Sequence, residues 1–74
     1  METELFVCCV EMLKLLIDQY DSGKMDADTF RMHAQLKVEF IRDHHGDDYA
    51  VKNNEAVKQL LHNYNRILDE NLEN

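Results

Sequence analysis

Histidine and carboxylate side chains gather near the middle of the chain: Asp43, His44, His45, Asp47 and Asp48, with Gly46 among them. Imidazole nitrogen and carboxylate oxygen are both zinc ligands. Two ligands on one helix share an ion at i, i+4 spacing, as in H-E-x-x-H, whereas the adjacent His44 and His45 diverge by about 100°. His33 and His62 lie in other segments and join such a site only if folding brings them there. A polar stretch that ends one helix and caps the next accounts for the same residues without a metal. Cys8 and Cys9 are also adjacent, so they lack the C-x-x-C spacing of zinc and redox motifs. Neighbouring cysteines on a helix point too far apart for a disulfide. Two free thiols in a reducing compartment, filling core or interface, are the expectation.

Oxygen ligands recur in the segment 18–29, with aspartates at Asp18, Asp21, Asp26 and Asp28 around Gly23. The twelve residues resemble an EF-hand calcium loop in outline: an aspartate at its first position, glycine at the sixth, an apolar residue at the eighth. The segment departs from that pattern at its third position, Tyr20, which brings no carboxylate. It departs again at its twelfth, Thr29, where a bidentate glutamate closes the calcium sphere. A capped turn between two helices reads the same residues more simply.

Nucleophilic catalysis has little to draw on. Beyond Thr3, the serine and threonine residues are Ser22 and Thr29, both in that turn. There is no G-x-S-x-G, no glycine-rich phosphate loop and no pair of carboxylates in an apolar setting. A helical bundle of 74 residues also has little room for a substrate-sized pocket. The expectation is a protein that is not an enzyme, with no cofactor, no resident metal and no small-molecule substrate.

The elements that position these residues are helical. The chain has no proline, and both glycines fall where a helix would end. Helix-type periodicity runs through three stretches, about 2–21, 27–44 and 49–71. In the first, Leu5, Phe6, Cys9, Val10, Met12, Leu13, Leu16, Ile17 and Tyr20 share one broad face. Val7, Cys8 and Leu15 fall outside it, so the helix is apolar around more than half its circumference, more than a one-sided surface helix requires. Gly23 suits a C-terminal cap and Asp26 an N-cap. The connection is short enough that the second helix must fold back antiparallel. That helix has one stripe of Ala27, Phe30, Ala34, Val38 and Ile41, and a second of Met32, Leu36 and Phe40 nearly opposite. In the third, Val57, Leu60, Leu61, Tyr64, Ile67 and Leu68 form a single stripe. Asp47 or Asp48 would cap it, or Asn53 or Asn54 if it begins later.

The expected fold is all-α: a single domain built as a three-helix antiparallel, up-down-up bundle. Its first two helices carry more apolar surface than a three-helix monomer obviously consumes. Either the second stripe of the middle helix packs on the third helix, or it meets another molecule. Small domains often gain stability from a second subunit, so dimerisation into a larger helical bundle fits the same excess. Met32, Leu36, Phe40, Val7, Cys8 and Leu15 are the candidate interaction surface, with Arg31 and His33 as a polar rim.

Charge narrows the partner. The net charge is −7, carried as −4 over residues 1–21 and −3 over residues 46–74, with the middle neutral. No basic stripe is present to neutralise phosphates, so neither direct nucleic-acid binding nor attachment to an anionic membrane is expected. The run from Leu5 to Ile17 is too short to span a bilayer. Residues 2–4 are Glu-Thr-Glu, where an export signal would be basic. The location expected is cytoplasmic. The reading is a small acidic protein–protein interaction or regulatory module whose partner is another protein or itself, as a homodimer. Two alternatives are an acidic nucleic-acid mimic that blocks a DNA-binding protein, and calcium or zinc binding at the 18–29 loop or the His44–His45 cluster.

Overall fold

A computed structural model describes residues 2–45 and 55–72. These form three helices: α1 (Glu2–Asp21), α2 (Ala27–His45) and α3 (Glu55–Glu70). The start of the third helix near Tyr49, its alternative start at Asn53–Asn54 and the caps at Asp47 or Asp48 all lie outside the described residues. So do the side chains of His44 and His45.

The turn joining α1 to α2 follows from two residues. Gly23 takes a left-handed conformation, φ +78°, which glycine adopts without steric penalty. There its N–H donates to the Tyr20 carbonyl at 3.0 Å and the Lys24 N–H donates to the Gln19 carbonyl at 2.9 Å. This paired arrangement is a Schellman cap, and it satisfies carbonyls that the end of α1 would otherwise leave open. Three residues on, Asp26 starts α2: its Oδ1 accepts from the Thr29 N–H at 2.7 Å, as an N-cap does. The Asp26 carbonyl accepts the first helical bond, from the Phe30 N–H.

The three helices pack as a bundle, α1 against both α2 and α3, with the α1–α2 contact the most extensive. The end of α1 meets the end of α3: the Arg66 guanidinium donates to both carboxylate oxygens of Asp21 at 3.2 Å. Thus α1 and α3 run the same way and α2 runs against them. The core comes from one face of each helix. Phe6, Leu13 and Ile17 supply it from α1, Phe30, Ala34, Val38 and Ile41 from α2, and Val57, Tyr64 and Ile67 from α3. Phe30 lies between two tyrosines, its ring centroid 5.6 Å from Tyr20 and 6.0 Å from Tyr64, both tilted. Such tilted contacts favour the aromatic quadrupoles beyond their burial alone. Among the described residues, no helix is long and apolar enough to cross a membrane.

Candidate functional site

The bundle is covered unevenly. Among the described residues, helix α3 closes one side of the α1–α2 pair and no element packs over the opposite side. On it, Leu15 is 62% exposed, Met32 71% and Leu36 72%. Neither Met32 nor Leu36 packs on α3. Between the two helices runs a shallow groove of about 230 Å³, lined by Met12, Leu15, Leu16, Gln19, His33 and Lys37.

The expected interaction residues separate on this surface. Cys8 and Leu15 of α1 are exposed on it, as are Met32 and Leu36 of α2. Phe40 is half-buried and packs against the core, so only part of its ring reaches the surface. Val7 is exposed but stands elsewhere: at about 100° per residue it lies roughly 100° from Cys8 around α1, among Glu4, Glu11 and Lys14. Two further residues belong to the open face. Leu5 and Met12, grouped with the buried face on periodicity, are 52% and 44% exposed. The arc of α1 that its neighbours cover is centred on Phe6, Leu13 and Ile17, and both residues lie near or beyond its edge. With Cys8, Leu15 and Gln19 they make a run 5-8-12-15-19, alternating spacings of three and four. That is the heptad spacing of a helix seam, and it could have been read from the sequence.

The polar rim is also divided. His33 is exposed beside the groove. Arg31 instead turns to the α2–α3 side, where it pairs with Asp28 at 3.4 Å and borders Leu68 and Asn71. Lys37 is half-buried on the groove floor, its Nζ donating to the His33 carbonyl at 3.0 Å. Its methylenes therefore form part of the apolar floor. Burial pushes the Cys9 thiol pKa up, adjacent Cys8 adds to the shift, and Lys37 opposes it. The exposed Cys8 thiol points along α1 towards the Met12 sulfur, 3.8 Å away.

Three acids of the 18–29 segment have structural roles. Asp26 caps α2, Asp28 pairs with Arg31, and Asp21 pairs with Arg66. Asp18 sits in the body of α1, its carbonyl bonded to the Ser22 N–H. Among the described residues, no three histidine, cysteine, aspartate or glutamate side chains converge as a metal site would require. The cap bond from the Thr29 backbone N–H, seconded by the Thr29 side chain, holds the Asp26 carboxyl below its ordinary pKa.

At the far end of the molecule a polar clasp joins α1 to α3. Arg66 bonds Glu70 at 2.8 Å as well as Asp21, and these bonds raise its pKa. The Asn71 amide donates to the Tyr20 hydroxyl at 3.1 Å and to the Ile67 carbonyl at 2.7 Å. These are structural partners that leave the open face untouched. Comparisons with protein-family models, with curated proteins and with solved structures find no match to this chain.

Proposed function

We propose that the protein is a small, non-catalytic protein–protein interaction module that binds through the open face of α1 and α2. One observation carries the reading: large apolar side chains from both helices, Leu5, Met12 and Leu15 with Met32 and Leu36, stand in solvent together with the Cys8 thiol. Scattered exposed leucines are ordinary on a protein surface, whereas a contiguous apolar patch marks a binding site. Helical seams of this spacing are also how proteins receive partner helices. The acids give the nucleic-acid-mimic reading less support, since Asp21, Asp28, Glu55 and Glu70 are each paired with a neighbouring cation.

A photo-crosslinking residue placed at Leu36 in the cells that make the protein tests this. A discrete adduct, to another protein or to a second copy, is the expected result, with none from the same residue at exposed Gln59 on α3. A protein that stays monomeric and gives no adduct at Leu36 overturns the reading.

A further inference from the structure

We infer that the occupant of this face is an amphipathic helix of another protein, with basic residues beside its apolar stripe. The inference rests on the interaction reading above and adds the chemistry of the partner. The α1 seam at Met12, Leu15 and Gln19 and the α2 residues His33 and Lys37 line a groove that a further helix would complete as a four-helix bundle. Knobs from such a helix would settle between the seam residues, whose heptad spacing suits them.

The charges beside the groove select the partner. Each of Leu5, Met12 and Gln19 is preceded by an exposed acid: Glu4, Glu11 and Asp18. These residues, seven apart, form an acidic row along the outer edge of the α1 seam, with Lys14 on its far side. In a coiled-coil contact, this flanking position faces the flanking residues of the incoming helix. On the other edge, beyond Leu36, the exposed acid is Asp43; Glu39 turns to the α2–α3 side, where it accepts from Gln35 at 3.3 Å and borders Tyr64 and Leu68. The floor between the edges is apolar apart from Gln19, His33 and the tucked Lys37. A groove with an acidic row along its α1 edge fits a helix with lysine or arginine on the flank that faces that row.

The same row disfavours a second copy. A two-fold pair with helices aligned can stack α1 on the second α1, which sets the row Glu4, Glu11 and Asp18 against itself. It can instead stack α1 on the second α2, which sets that row beside Asp43. Both arrangements oppose like charges at the interface edge, and each chain already carries −7. Like-charge juxtaposition at an interface is strongly unfavourable.

The test titrates isotope-labelled full chain with three synthetic helical peptides of equal length. One has leucine at heptad a and d positions with lysine on the flanks. The second replaces those lysines by glutamate, and the third has the leucine–lysine composition in scrambled order. Expected is saturable binding of the first peptide only, weakened by salt, with amide shifts concentrated at Leu5, Met12, Leu15, Leu36 and Phe40. Leu15→Glu with Leu36→Glu should weaken it about tenfold or more while helicity is retained. Glu11→Lys with Asp18→Lys should transfer binding towards the glutamate peptide. Equal binding of the scrambled peptide, or shifts centred on α3, would overturn the inference by reducing the effect to net charge. Light scattering that shows a dimer, dissociated by Leu36→Glu, would also overturn it and leave the interaction reading standing. A monomer that binds none of the three overturns the inference alone; the interaction reading then stands or falls with the crosslink at Leu36.

Discussion

Leu13 and Leu36 are the same residue type on neighbouring helices, and the structure assigns them opposite energetic roles. Leu13 has no exposed surface. Truncation to alanine removes buried methyl groups and leaves a cavity, a change that costs about 2–5 kcal/mol. A domain of this length holds on the order of 5 kcal/mol in total, so Leu13→Ala removes much of it. Leu36 keeps 72% of its surface in solvent. The quarter or so that it buries is worth roughly 0.5 kcal/mol, given about 1.5–3 kcal/mol for a fully buried leucine. Glutamate is nearly as good a helix former as leucine, so the backbone loses only a few tenths. Urea unfolding followed by circular dichroism reads both. With a slope of about 1 kcal/mol per molar, Leu13→Ala moves the midpoint down by about 2 M or more and Leu36→Glu by about 0.5 M or less. A loss of about 2 kcal/mol or more in Leu36→Glu would place that side chain in a core and remove the open face from consideration. Repeating the wild-type melt at two protein concentrations keeps self-association visible, because a dimer's midpoint depends on concentration.

Other consequences are as direct. A Cβ at Gly23 meets no atom within 4 Å, so Gly23→Ala isolates backbone strain at φ +78° and should destabilise by about 1 kcal/mol. An unchanged melting curve would show that the cap does not need the left-handed residue. The Asp26 carboxyl titrates below its ordinary value because the cap bond favours the charged form. The cap's contribution is therefore complete above the ordinary carboxylate range and is lost as pH falls through the depressed value. Asp26→Asn should flatten that acid limb of the melting temperature, and identical limbs would discount the cap. For the thiols, Cys8 is exposed and Cys9 is half-buried with a raised pKa. Since the thiolate is the reactive form, iodoacetamide should modify Cys9→Ser protein, which retains Cys8, faster than Cys8→Ser protein. Equal rates would contradict the difference in environment.

The all-α fold was legible because α2 and α3 obey simple periodicity. Phe30, Ala34, Val38 and Ile41 recur at spacings of four, four and three, and all are buried. Helix α1 was harder to read. It is apolar around most of its circumference, so hydrophobicity alone could not say which arc the neighbours would cover. Periodicity therefore groups Leu5 and Met12 with Leu13 and Ile17, although packing leaves them largely in solvent. The stripe Met32, Leu36 and Phe40 is real as a spacing but unequal in depth, because Phe40 packs against the core while Met32 and Leu36 stand in solvent. Contacts such as Arg66 with Asp21 join residues 45 apart, and no local pattern announces them.

The clasp between α1 and α3 also bears on time. The turn at residues 22–26 closes α1 on α2 through bonds between near neighbours. Arg66 and Asn71 reach Asp21 and Tyr20 across most of the chain. Closing a longer loop costs more entropy, so contacts between distant residues form after local ones. Interactions absent from the folding transition state govern how fast the native state is left, with little effect on how fast it is reached. The clasp is thus a latch on lifetime. Cutting it at Arg66 should quicken unfolding in a stopped-flow experiment while refolding proceeds at nearly its original rate.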